Sequence, residues 1–133
     1  MAFDDSQAPQ GHALDGKRIL LVEDEYYIAD DLRRILEAAG AEVVGPFASL
    51  AKAHEALDEG LFDCALIDLN LHGESAASIA DRLRESGKSF AIATGYGSGS
   101  VPEHLKDMPR VEKPFDPPAL LEEVGRLGCA QPD

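Results

Sequence analysis

A chain of 133 residues has room for one domain, large enough to bury about two-thirds of its unfolded surface and so to hold a self-supporting core. With 44% hydrophobic and 28% charged residues the composition is that of a globular protein; Trp is absent and aromatic residues are few, so the core must be mostly aliphatic. The formal net charge of −13 argues against a nucleic-acid surface and against docking on anionic lipid, both of which recruit Lys and Arg, and leaves cationic or metal partners open.

Met1 to Gly16 is polar, carries Pro9, Gly11 and Gly16, and is expected to be a disordered extension. It lacks the basic-then-apolar pattern of a signal peptide, and no stretch of the chain approaches transmembrane length. Ile19 to Val22 is a continuous apolar run, the mark of a strand covered on both faces. Ile28, Leu32, Ile35, Leu36 and Ala39 recur at helical spacing, and Gly40 follows as a stop. Ala41 to Val44 reads as a short second strand ended by Gly45-Pro46. Leu50, Ala53 and Leu57 mark a second helix with Ser49 as cap and Gly60 after it. Cys64 to Ile67 is the third apolar run and leads into Asp68. Two cysteines, Cys64 and Cys129, are too few for a disulfide framework; Cys64 reads as a small buried residue, and a reducing cytoplasm is the simplest location. Ala76, Ile79, Ala80 and Leu83 mark a third helix stopped at Gly87, and Phe90 to Ala93 is the fourth run, ending at Thr94.

Gly95 to Ser100 has the composition of a flexible loop. Pro102 and Pro109 then bracket a stretch with room for a helix of about two turns. Val111 centres a brief fifth strand, and Asp116-Pro117 opens a last helix whose apolar stripe is Leu120, Leu121, Val124 and Leu127. Five strands alternating with five helices call for an α/β fold, a parallel sheet with helices on both faces, whose sites lie at the carboxyl ends of the strands.

Those strand ends are Glu23-Asp24-Glu25, Asp68, Thr94 and Glu112-Lys113-Pro114. If the first and third strands are neighbours, Glu23, Asp24 and Asp68 converge, and clustered carboxylates repel unless a cation or protons join them. Oxygen ligands without nearby His or Cys point to Mg²⁺ rather than Zn²⁺. The four histidines, His12, His54, His72 and His104, have no metal-ligand spacing and read as surface residues. With Lys113 and the Thr94 hydroxyl at the same rim, the set describes a place for a phosphoryl group on a carboxylate, a task of positioning and charge neutralisation. Taken singly, each of these residues reads equally well as a strand-end cap, a turn residue or a surface charge; their joint placement carries the argument.

Four ordered segments, Leu20-Leu21-Val22-Glu23-Asp24-Glu25, Ala65-Leu66-Ile67-Asp68-Leu69-Asn70-Leu71, Ala93-Thr94-Gly95 and Val111-Glu112-Lys113-Pro114-Phe115, closely resemble receiver domains of two-component response regulators over about Lys17 to Leu127. The resemblance implies a flavodoxin-like (βα)5 fold with strand order 2-1-3-4-5, residues 17–128 as the receiver domain and 129–133 as a tail. It implies Asp68 as phosphoacceptor, Asp24 as a direct and Glu23 as a water-mediated Mg²⁺ ligand, Asn70 as a metal ligand through its backbone carbonyl, and Thr94 and Lys113 as partners of the phosphoryl oxygens. It also implies a cis bond before Pro114. The implied partners are a histidine kinase or histidine phosphotransfer protein as donor and a downstream protein as target, with no nucleic acid and no membrane. Output is then a protein contact or onward phosphotransfer, because no output domain follows the last helix.

Ile92-Ala93-Thr94-Gly95-Tyr96-Gly97 resembles a divergent Phe-Ala-Thr-Gly-X-Tyr motif, which marks a subgroup of receivers, many of them stand-alone. Arg110 stands where many receivers carry a switch aromatic. The expectation is instead that Gly95 to Pro109 changes order on phosphorylation with Tyr96 repacking, and that Asn70 and Tyr96 tune phosphate lifetime. Two other functions compete. A phosphorylation-independent pseudo-receiver scaffold conflicts with the complete acidic, Thr and Lys set. An Asp-nucleophile phosphatase would want an acid where Asn70 stands.

Overall fold

Apolar runs with polar residues only at their ends become the inner strands of one parallel sheet. The computed structural model describes residues 14–71, 73–94, 101–113 and 115–127. In chain order these contain β1 (Arg18–Val22), α1 (Tyr26–Ala38), β2 (Glu42–Phe47), α2 (Leu50–Glu59), β3 (Cys64–Asp68), the short β4 (Asn70–Leu71) and β5 (Glu74–Ser75), α3 (Ala77–Glu85), β6 (Ser89–Thr94), a 3₁₀ turn (Glu103–Leu105), β7 (Arg110–Glu112) and α4 (Pro117–Arg126). The main sheet has the order β2-β1-β3-β6-β7 with every neighbour parallel. β4 and β5 form a separate antiparallel ribbon. With that ribbon set aside, the order is the 2-1-3-4-5 that the resemblance implies.

Alternation along the inner strands builds two cores. Leu20, Val22, Ala65, Ile67, Phe90 and Ile92 face α2 and α3, together with Val101 and Leu105. Ile19, Leu21, Leu66, Ala91 and Ala93 face Leu32 and Leu36 of α1 and Leu120 and Val124 of α4. Helix ends follow the sequence signals: Ser49 Oγ accepts from Lys52 N at 3.2 Å, Gly60 closes α2 at φ +67°, and Asp116 Oδ2 accepts from Ala119 N at 3.3 Å ahead of Pro117.

The differences have physical causes. The expected fourth helix, between Pro102 and Pro109, is only a 3₁₀ turn, because so short a stretch cannot repay helix nucleation and one turn suffices to bury Leu105. β2 does not stop at Gly45-Pro46 but runs on to Phe47; as an edge strand it tolerates a residue without an N–H, and the Gly45–Pro46 peptide is cis. Packing begins no later than Leu14, within the span assigned to the N-terminal extension: Leu14 is buried and donates to Ala39 O at 2.8 Å. Cys64 is buried as expected, and Cys129 lies outside the described residues.

Candidate functional site

The parallel strands deliver their ends to one edge of the sheet. Val22 pairs with Ile67, so Glu23 emerges beside Asp68; Asp68 pairs with Ala93, so Thr94 comes next. Thr94 pairs with Glu112, and Lys113 N donates to Thr94 O at 2.7 Å. Glu23, Asp24 and Asp68 each offer a carboxylate oxygen within 4.8 Å of the others. Lys113 Nζ lies 2.9 Å from Asp68 Oδ2 and 3.1 Å from Glu23 Oε1. Asn70 N donates to Asp68 Oδ1 at 2.9 Å, and Asn70 Oδ1 accepts from Gly73 N at 3.0 Å, which ties the β4–β5 ribbon to the Asp68 carboxylate.

Among the described residues the buried polar side chains are Glu23, Asp68 and Thr94, all at this edge. Burial, followed by the Asp68 charge, raises the Glu23 carboxyl from 4.5 to about 7; the Lys113 ammonium and the Glu25 N–H pull against that rise. Burial works against the Lys113 charge, but the hydrogen bond to Asp68 and the charges of Glu23 and Asp68 outweigh it and raise Lys113. Two buried oxygens accept or donate no hydrogen bond among the described residues, Thr94 Oγ1 and Glu23 Oε1. Glu23 Oε1 has the Lys113 ammonium close by as an ion pair; Thr94 Oγ1 has no such relief. An unmet buried hydroxyl costs about 1–3 kcal/mol, which marks it as a group held for an incoming ligand. An edge with three acids, oxygen donors only and one ammonium fits a hard divalent cation such as Mg²⁺ and an anion beside it.

The structure thus brings Glu23, Asp24, Asp68, Asn70, Thr94 and Lys113 together. Arg110 does not join them: it starts β7 opposite Ile92 and donates from Nη2 to Lys106 O at 2.8 Å, fastening the 3₁₀ segment. Tyr96, His72, the Gly95 to Ser100 loop and the bond before Pro114 lie outside the described residues. The sequence reading missed the exposed Tyr26 and Tyr27, whose rings meet edge-on at 5.3 Å where α1 leaves the acidic strand end. The signal was there: the apolar stripe of that helix starts only at Ile28, so aromatics before it had no core to enter. The β4–β5 ribbon was also missed, since two-residue strands leave no periodicity to read.

A family model of the response regulator receiver domain matches residues 19–125. Among solved structures, SdrG from Sphingomonas melonis Fr1 is 34% identical, with a TM-score of 0.77 over 86% of this chain and 97% of that one. The BeF3-activated conformation of SdrG from Pseudomonas melonis Fr1 is 32% identical, with a TM-score of 0.71 over 83% of this chain and 95% of that one. The response regulator PhyR from Brucella abortus, at 24% identity and a TM-score of 0.73, covers 92% of this chain and 52% of its own length, and shares the fold. A comparison with curated proteins finds no match. Among the described residues no helix is long and apolar enough to cross a membrane.

Proposed function

The chain belongs to the response regulator receiver domain family, and on that premise we propose that it takes a phosphoryl group from a phosphohistidine onto Asp68 in a Mg²⁺-dependent reaction. Receiver domains act with a histidine kinase or another phosphodonor, and they generally bind Mg²⁺. The observation that carries the reading is the unmet Thr94 hydroxyl beside an acceptor carboxylate that already holds an ammonium at 2.9 Å.

The chemistry asks little covalent work of the protein. An Asp68 carboxylate oxygen attacks phosphorus, an O–P bond forms, the N–P bond breaks, and the imidazole nitrogen leaves with the electron pair and regains a proton. Asp24 and Asp68, with Glu23 behind them and the Asn70 carbonyl, are the residues that would hold Mg²⁺. The ion, when bound, supplies positive charge against the acids and the transferring phosphoryl oxygens. Asn70 N–H fixes the rotamer of Asp68. Lys113 is placed to pass from the Asp68 carboxylate to a phosphoryl oxygen, and Thr94 Oγ1 to donate to another. Attack of water on the acyl phosphate returns the free carboxylate, and Asn70 and Tyr96 tune that lifetime. The partner is a histidine kinase or histidine phosphotransfer protein in the cytoplasm, and the output is a changed protein contact or onward phosphotransfer.

The test is transfer from a histidine kinase autophosphorylated with labelled ATP. The expected result is label moving to this chain with Mg²⁺ and not to Asp68→Asn. Label that stays on every kinase offered, while a known receiver takes it, would overturn the reading.

A further inference from the structure

From Leu20 to Val22, β1 advances by two residues, whereas its partner β2 goes from Val44 to Phe47. β2 therefore carries one extra residue, a bulge at Gly45-Pro46. The bulge corrects the facing of side chains. Val44 and Phe47 would point to opposite faces of a regular strand, yet both pack with Leu20 and Val22 against the same core. It also brings Phe47 level with Val22, where the Phe47 carbonyl accepts the Glu23 N–H at 3.0 Å. That bond extends the β1–β2 ladder past the end of β1 and pins the backbone at the first residue of the acidic pair. The Glu23 side chain is held from elsewhere, by Glu25 N at 3.2 Å and by Lys113.

Gly45 is what permits this arrangement. Its φ is +114°, outside the range that L side chains adopt readily. A Cβ there would lie 2.7 Å from Leu21 O and 2.9 Å from Phe47 N. Both are backbone atoms, so the clash has no flexible side chain to absorb it. One pushes on β1 two residues before Glu23; the other pushes on the residue whose carbonyl holds Glu23.

We propose that Gly45 is a positioning residue for the metal-binding acids, acting through the β2 bulge and the Phe47 carbonyl on the backbone of Glu23 and hence on Asp24. The proposal rests on the reading of Glu23, Asp24 and Asp68 as the seat of a divalent cation. Gly45 touches neither metal nor substrate, so its effect is on affinity for the ion and not on the chemical step.

The experiment measures Mg²⁺ affinity by calorimetry, and the rate of phosphorylation by acetyl phosphate against Mg²⁺ concentration, on the full chain. Gly45→Ala is compared with Val43→Ala, a loss of packing on the same strand but on its α1 face. Gly45→Asn, which accepts positive φ more readily, is the second variant, and either is measured in trimethylamine N-oxide should it unfold in buffer. The expected result is a Mg²⁺ dissociation constant raised about tenfold or more by the Gly45 substitutions, a rate at saturating Mg²⁺ within about threefold of the parent, and Val43→Ala within about twofold on both readouts. Folded Gly45 variants that bind Mg²⁺ like the parent would overturn the proposal, as would an equal loss in Val43→Ala. A parent chain that binds no Mg²⁺ would overturn the cation site itself and the proposal with it.

Discussion

Thr94 and Glu23 bear different kinds of cost, an unmet hydroxyl and a buried carboxyl. The Thr94 hydroxyl is buried without a hydrogen-bond partner among the described residues. Thr94→Val should therefore leave the stability of the metal-free chain unchanged or raise it by up to about 1 kcal/mol, because an unmet donor is removed. The same change should slow phosphoryl uptake by about a hundredfold, as loss of a donor to developing charge does elsewhere. Denaturant unfolding and acetyl phosphate kinetics on one preparation check both halves; a destabilised variant with normal kinetics would show the hydroxyl to be structural. Glu23 is raised from 4.5 to about 7 in the folded chain. The folded state thus binds a proton that the unfolded state has released, so this contribution to stability is complete below pH 4.5 and is lost as pH rises through about 7. Between pH 4.5 and 7 the melting temperature of the metal-free parent should fall relative to Glu23→Gln, and saturating Mg²⁺ should reverse the fall. Parallel pH profiles for the two chains would contradict this.

At the scale of elements, the 3₁₀ segment replaces a crossover helix and is fastened by two kinds of contact. Leu105 is fully buried in the core that faces α3. Outside, His104 Nε2 meets Asp81 Oδ1 at 2.8 Å and Arg84 Nη1 donates to the His104 carbonyl at 2.6 Å. Leu105→Ala should cost about 2–4 kcal/mol, since a cavity opens in a packed core. His104→Ala should cost less than about 1 kcal/mol, because its contact with Asp81 is half exposed. Equal losses would place the fastening outside the core, and chemical denaturation of both variants decides it. The same segment shows where sequence reading stops. β1, β3 and β6 were legible because burial on both faces leaves unbroken apolar runs, and α2 and α4 because Ser49, Gly60 and Asp116 punctuate them. The bulge in β2 was not, since Gly45-Pro46 reads as a stop unless the strand is known to be an edge. The turn at Glu103 was not, since two prolines frame it as they would a helix and only the packing of Leu105 against α3 decides.

For the whole molecule, one parallel sheet gathers the ends of β1, β3, β6 and β7 into a single acidic edge, in a chain whose formal net charge is −13. The candidate site was legible because it is assembled from strand ends, and strand ends can be read wherever an apolar run meets a polar residue. Its supporting contacts were less so: the Asn70 N–H on Asp68 depends on the β4–β5 ribbon, and the Glu23 N–H on Phe47 depends on register, and neither leaves a periodic trace. The tie of Arg110 to Lys106 likewise became visible only once β7 was placed next to the 3₁₀ segment. The measurement that bears most directly on the account is intact mass spectrometry after incubation with acetyl phosphate, with and without Mg²⁺, on the parent and on Asp68→Asn. The account predicts a gain of one phosphoryl group in the parent with Mg²⁺, absent without the ion and absent in the variant. A gain of the same size in Asp68→Asn, or a gain in the parent that is indifferent to Mg²⁺, would contradict it.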